Sequence, residues 1–230
     1  MPAKSDKSSK KEVGILAKSY LLAYNVAQVA GWSYLLYQMI LYYTNPSPEQ
    51  SLWETVKWTV IVFQNAAILE VIHALTGLVS SNAMVTLFQV ASRVMLVCGV
   101  LISVPAAAAS FGLHMMLLAW TITEIIRYSF YAVGILGLNP FILVWCRYTF
   151  FIALYPIGVT GELLCLFAGQ ALVAETKQWS VEMPNSWNVT FSYRYFLIVV
   201  MLMYIPLFPD LYLHMFRQRS KILGEPKKTK

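Results

Sequence analysis

The chain has 230 residues, of which 58% are hydrophobic and only 12% charged, and its mean hydropathy is +0.60. Soluble domains carry about twice that share of charge, so the polar groups are too few to cover a water-facing surface, which excludes a disordered chain, a secreted disulfide scaffold and a cytosolic enzyme core. The composition points to a membrane protein, and the net charge of +6 is gathered at its two ends.

Residues 1–18 read as a basic cytosolic tail carrying Lys4, Lys7, Lys10, Lys11 and Lys18. Arg217, Arg219, Lys221, Lys227, Lys228 and Lys230 make a second basic tail of residues 216–230. Because both flank apolar runs, they serve topology rather than nucleic-acid binding. Between them, residues 19–215 form one membrane domain. A span needs about 20 apolar residues, and six stretches qualify, at 20–43, 58–79, 84–106, 112–135, 143–172 and 193–214. The first lacks a cleavage site and reads as a retained anchor. Pro156 and Pro206 interrupt the fifth and sixth, which is tolerated where a neighbour satisfies the freed carbonyl. The expected fold is therefore all-α, a polytopic bundle of six transmembrane helices with both termini cytosolic.

On that topology the loops 44–57, 107–111 and 173–192 face the opposite side. Asn188-Val189-Thr190, in the third, is a glycosylation sequon on the side where glycosylation occurs. The final Lys227-Lys228-Thr229-Lys230 resembles a dilysine signal for retrieval to the endoplasmic reticulum, with a plain solvated tail as the equal alternative. Cys98, Cys146 and Cys165 sit in apolar runs without a C-x-x-C, so neither a disulfide framework nor a zinc site is expected.

Ionisable residues inside spans are costly and mark candidate sites. Here they are Glu70 and His73 in span two, Arg93 beside Gln89 in span three, Glu124 and Arg127 in span four, and Arg147 and Glu162 in span five. Glu70, Glu124 and Glu162 equal Arg93, Arg127 and Arg147 in number, which fits mutual pairing inside a bundle. At 1.5 Å per residue, Glu70, Arg93, Arg127 and Tyr155 lie about 12–18 Å from the cytosolic ends of their spans. The opposite ends are more apolar, so a blind pocket open to the cytosol fits better than a transport route.

Span five holds the sharpest pattern: Arg147-Tyr148-x-x-Phe151-x-x-x-Tyr155-Pro156-x-Gly158-x-x-x-Glu162. Tyr155 and Glu162 are seven residues apart and differ by only about 20° around a helix, with Gly158 between them on the same face. The expectation is a phenol and a carboxyl flanking a notch without a side chain, opened by a proline-disturbed turn. Such a pair suits proton transfer and the elimination of water from a hydroxyacyl chain. An interhelical tyrosine and a paired glutamate in a kinked helix is the alternative.

Several segments together resemble the very-long-chain 3-hydroxyacyl-CoA dehydratases, once called protein-tyrosine-phosphatase-like. They are Leu69-Glu70-x-x-His73, Trp120-x-Ile122-Thr123-Glu124-Ile125-Ile126-Arg127-Tyr128-Ser129-Phe130-Tyr131, Leu154-Tyr155-Pro156-x-Gly158-x-x-x-Glu162 and Val181-x-Met183-Pro184-Asn185. The likeness runs from about Tyr20 to Arg219. It implies a multi-pass enzyme of the endoplasmic reticulum membrane that converts 3-hydroxyacyl-CoA to trans-2-enoyl-CoA, third in the elongation cycle of very-long-chain fatty acids, beside other elongation enzymes. The resemblance puts catalysis on Tyr155 and Glu162. It gives Arg93, Arg147 and Gly158 substrate-binding or supporting roles, with Gln89 and Glu70 as further supports. It implies no metal or organic cofactor, CoA being part of the substrate. No cysteine is followed six residues later by arginine (Val104, Ile152 and Ala171 stand there), which disfavours thiol phosphatase chemistry. A silent scaffold would be expected to lose Tyr155 or Glu162, and a transporter to show inverted repeats; neither is seen.

Overall fold

No proline interrupts residues 15–44, and the computed structural model, which describes residues 14–45 and 50–224, forms one helix there, α1 (Ile15–Thr44). Its inner stripe follows helical spacing through Leu21, Asn25, Gln28, Trp32, Leu35 and Met39. Ser51 caps α2 (Leu52–Ala66) by accepting from the Glu54 amide at 3.3 Å. A break at Ala67 separates α2 from α3 (Ile68–Leu75). The Phe63 ring occupies the place where a Cβ on Gly31 would stand, so α1 and α2 approach closely there.

Asn82 caps α4 (Ala83–Val94), its Oδ1 accepting from Met84 and Val85. The helix then widens into a π-helical segment over Met95–Leu101, whose Leu96, Val97, Val100 and Leu101 are buried. A short α5 (Pro105–Ala108) turns the chain, and Ser110 caps α6 (Phe111–Ile135) at the Gly112 amide, 3.1 Å. Then follow α7 (Phe141–Arg147), α8 (Phe151–Thr176) and α9 (Tyr193–Leu223). Between α8 and α9, an isolated antiparallel bridge joins Val181 to Phe191.

Helix α6 is the centre of the bundle, flanked by α1 and α8. Its Leu113, Met116, Leu117 and Trp120 form one core with Leu35, Met39, Cys165 and Leu166. At Gly112 and Gly161 the two backbones touch: a Cβ on Gly161 would stand 2.6 Å from the Gly112 carbonyl oxygen, and one on Gly112 would stand 2.4 Å from that of Gly161. α9 leans on α8 along its length.

Among the described residues, four helical stretches are long and apolar enough to cross a membrane: Leu52–Leu75, Ala83–Leu101, Phe141–Thr176 and Tyr193–Leu223. α1 and α6, at 30 and 25 residues, have the length but are more polar, because they turn Asn25, Gln28, Thr121 and Glu124 into the core.

The element boundaries differ from expectation in instructive ways. The fifth apolar stretch is broken not at Pro156 but at Tyr148–Phe150, and α8 passes through Pro156 unbroken. The Tyr212 hydroxyl donates to the Ile152 carbonyl at 2.9 Å, four residues before the proline. α9 continues beyond residue 215, so Arg217, Arg219 and Lys221 stand on a helix rather than in a tail. α1 likewise begins within residues 1–18. Lys4, Lys7, Lys10, Lys11 and the Lys227–Lys230 signal lie outside the described residues.

Candidate active site

Helices α8 and α9 meet along one stripe. On α9 it runs through Tyr204, Phe208, Tyr212 and Phe216, each one turn beyond the last, so all four share a face. Opposite them on α8, the Tyr155 ring stacks on Phe208 (5.2 Å between centroids, 8°) and on Tyr212 (5.9 Å, 9°). Phe151 packs edge-on against Tyr212 and Phe216. Two turns beyond Tyr155, the Glu162 carboxylate is only 9% exposed. Its Oε2 accepts from the Tyr204 hydroxyl at 2.6 Å and its Oε1 from the Trp120 indole N–H at 2.8 Å. Tyr155 and Glu162 therefore do share a face, and that face is turned to α9. Among the described residues the Tyr155 hydroxyl has no hydrogen-bond partner.

A second polar cluster lies beside the first. Arg127 grips Glu70 with two parallel hydrogen bonds, 2.7 and 2.9 Å, and donates from Nε to Glu124 at 2.7 Å. Arg93 pairs with the other Glu124 oxygen, and the Tyr128 hydroxyl donates to Glu70. Two guanidinium groups and two carboxylates thus form a neutral network across α3, α4 and α6, which offsets the cost of burying each charge. The common depth read for Glu70, Arg93 and Arg127 corresponds to this contact. Tyr24 adds a hydroxyl 3.4 Å from Glu70, and Tyr20 meets His73 at 2.9 Å.

Trp120 joins the two clusters. The Arg93 guanidinium carbon lies 4.9 Å from the centre of its ring, while the edge of the same ring donates to Glu162. A cation over an indole face is attracted by the ring's electron density and polarises the N–H toward its acceptor. The arrangement can hold a carboxylate in a fixed orientation two helical turns from a phenol that has no partner among the described residues, and these are the two kinds of group that acid–base chemistry requires.

The other expected residues are distributed differently. Gly158 is buried, and a Cβ there would meet Ala119 Cβ at 3.3 Å and Trp120 Cδ1 at 3.9 Å. The notch is therefore not open between Tyr155 and Glu162; it is filled by α6, and the missing side chain is what lets Ala119 approach. Arg147 does not pair with Glu162. Its guanidinium lies over Phe130 and Tyr131 at 4.6 and 4.8 Å and donates to the Tyr131 hydroxyl at 3.1 Å. Gln89 is exposed on α4, and Asn188 is exposed in a turn with φ 48°. Reasoning from the sequence missed Tyr204 entirely, and Trp120 entered only as a motif letter. The recurrence of an aromatic residue every four positions from Tyr204 to Phe216 was the available signal for the first.

The family described as protein tyrosine phosphatase-like protein matches residues 64–225. The very-long-chain (3R)-3-hydroxyacyl-CoA dehydratase 1 of Ovis aries is 42% identical over 214 residues, covering 93% of this chain and 74% of that protein. The very-long-chain (3R)-3-hydroxyacyl-CoA dehydratase hpo-8 of Caenorhabditis elegans is 48% identical over 214 residues, 93% of this chain and 98% of its own length. PASTICCINO 2 of Arabidopsis thaliana, which bears the same enzyme name, is 35% identical over 217 residues, 94% and 98% of the two chains. No solved structure matches.

Proposed function

The chain belongs to the protein tyrosine phosphatase-like family, and on that footing we propose that it removes water from a very-long-chain (3R)-3-hydroxyacyl-CoA, giving the trans-2-enoyl-CoA. The observation that carries the reading is Glu162, a buried carboxylate oriented by two neutral donors and placed two helical turns from the unpartnered hydroxyl of Tyr155.

In the proposed reaction Glu162 takes the proton from C2, the carbon beside the thioester carbonyl. The electron pair moves to form the C2–C3 double bond as the C3–O bond breaks. Tyr155 gives its proton to the departing hydroxyl, which leaves as water. Return of the proton from Glu162 to the tyrosinate restores both groups. No electrons are gained or lost overall, so the chemistry itself calls for no redox cofactor. Tyr204 and Trp120 orient the base, and the Arg93–Glu124 pair supports Trp120. Glu70 belongs to the network that holds Arg127, while Arg147, Gly158 and Gln89 act in substrate engagement or packing.

The same reading makes this the third step of fatty-acid elongation, in the endoplasmic reticulum membrane and beside the other elongation enzymes. It takes α1 and α6 as spans along with the four more apolar stretches, six in all, with both termini cytosolic and Asn188 lumenal. Protease protection with tags at the two ends tests the topology: both tags are expected to be accessible from the cytosol, and a protected C-terminal tag overturns the six-span count. Thiol phosphatase chemistry is disfavoured, since Cys165 is buried and no cysteine carries the arginine that such an enzyme needs.

The deciding experiment is a dehydration assay of the purified protein on a 3-hydroxyacyl-CoA, comparing the unaltered chain with Glu162→Gln. Enoyl product from the former and at least about 10²-fold less from the latter is expected. Absence of product from well-folded unaltered protein would overturn the activity.

A further inference from the structure

The α9 stripe that backs Tyr155 does not end at Phe216. Continuing it by three residues reaches Arg219, which is seven beyond Tyr212 and therefore on nearly the same face, about 10 Å farther along the helix. There α9 passes α7, and the two enclose a cavity of about 370 Å³ lined by Asn139, Phe141, Trp145, Arg219 and Ile222.

Three properties of this cavity are independent of one another. Arg219 Nε is buried and has no hydrogen-bond partner among the described residues. Burying a guanidinium N–H without an acceptor is costly, and the group that best satisfies the planar fork is a phosphate or carboxylate. Trp145 is 40% exposed and carries a large flat ring on the opposite wall. Arg217 and Lys221 flank Arg219 in the sequence and keep this end of the bundle positive. The cavity therefore combines an anion-seeking fork with an aromatic platform, at the end of the α8–α9 seam nearer to Tyr155.

We propose that this cavity binds the adenosine phosphate end of the CoA thioester, with Arg219 meeting a phosphate and Trp145 stacking on the adenine. This deepens the dehydratase reading and rests on it. The pantetheine arm then follows the outer edge of the α8–α9 seam from Arg219 toward Tyr155, because the Tyr212 and Phe216 rings are themselves packed against Phe151 and Tyr155. Arg147, to which the resemblance gives a substrate-binding or supporting role, is already engaged by Phe130 and Tyr131.

The test uses the full-length protein in phosphatidylcholine nanodiscs and measures binding of adenosine 3′,5′-bisphosphate by calorimetry. The unaltered chain is expected to bind. Arg219→Gln and Trp145→Ala are each expected to weaken binding about tenfold, from loss of a charge-assisted contact or of base stacking. Arg219→Lys, which keeps the charge and loses the fork, is expected to fall between. Alongside, KM is compared for a 3-hydroxyacyl-CoA and for the pantetheine thioester of the same acid. The preference of the unaltered chain for the CoA ester is expected to shrink about tenfold in both variants. Equal nucleotide binding by variants and unaltered chain overturns the site, as does an unchanged preference. Phosphatidylserine displacing the nucleotide at equal headgroup concentration would reassign the cavity to an anionic lipid. Should the unaltered chain turn over neither ester yet bind the nucleotide through Arg219, the dehydratase reading fails and the site stands. Turnover of both esters without nucleotide binding overturns the site and leaves the dehydratase activity standing.

Discussion

The hydroxyl of Tyr212 donates to the carbonyl of Ile152, the one that Pro156 leaves without an amide partner. A single tyrosine on α9 thus completes the first turn of α8 and, through its ring, supports Tyr155. Tyr212→Phe keeps the stacking and removes the hydrogen bond. It is expected to lower stability by about 1 kcal/mol, read as a lower midpoint of thermal unfolding in detergent. An unchanged midpoint would mean that the carbonyl finds another donor.

Tyr155→Phe removes only the hydroxyl, and Glu162→Gln keeps the shape of the side chain while abolishing its charge. General acid or base groups contribute about 10²–10⁴-fold, so each variant is expected to lose at least about 10²-fold in turnover. Groups that act in one transition state are non-additive. The double variant should therefore be little worse than the poorer single, and strictly multiplicative losses would separate the two residues into different steps.

Trp120→Phe and Tyr204→Phe each remove one donor from Glu162 without emptying the core of a ring. Both are expected to reduce kcat about tenfold while KM stays within about twofold, because the lost contact orients a base rather than binds substrate. A rise in KM alone would assign these residues to binding.

Arg93→Lys retains a cation opposite Glu124 and loses the planar fork over Trp120. Activity is expected to fall while the protein still accumulates in membranes. Glu124→Ala, by contrast, leaves Arg93 without its carboxylate and Arg127 with one of its two, both part-buried, a loss of up to about 3 kcal/mol, and is expected to lower accumulation sharply. Normal yield of Glu124→Ala on a membrane blot would refute the structural weight given to the network.

Gly158→Leu places a branched side chain against Ala119 and Trp120. Overpacking of this kind costs about 1–3 kcal/mol, and here it also pushes the indole away from Glu162. The expected result is reduced kcat together with a lower unfolding midpoint. A variant with normal kcat would show that Trp120 can shift without consequence.

Hydropathy and span length made the helical plan readable, and the rarity of charge in apolar runs singled out Glu70, Arg93, Glu124, Arg127 and Glu162 from the sequence alone. The phase difference of about 20° between Tyr155 and Glu162 was likewise legible, because one helix determines it. What stayed hidden depends on two helices at once. That Gly158 faces α6 and not a cavity, that Glu162 is held by an indole and a phenol, and that Arg147 is engaged by rings all follow from how α6, α8 and α9 are rotated against one another. The break at Tyr148–Phe150 carries no proline or glycine to mark it, and the capacity of α8 to run through Pro156 comes from a residue 56 positions later.

The contact between Gly112 and Gly161 has a mechanical consequence. Two backbones in contact leave no side chain to yield, so the point behaves as a fulcrum for α6 on α8. Trp120 stands eight residues along α6 from that point, a lever arm of about 12 Å. A tilt of only about 5° at the fulcrum moves its indole by about 1 Å, a displacement that can cost about 10²-fold in rate when it occurs at a reacting group. Alignment of the carboxylate with its donor is thereby set by two glycines, positions where a sequence comparison of side-chain types would register no reacting group.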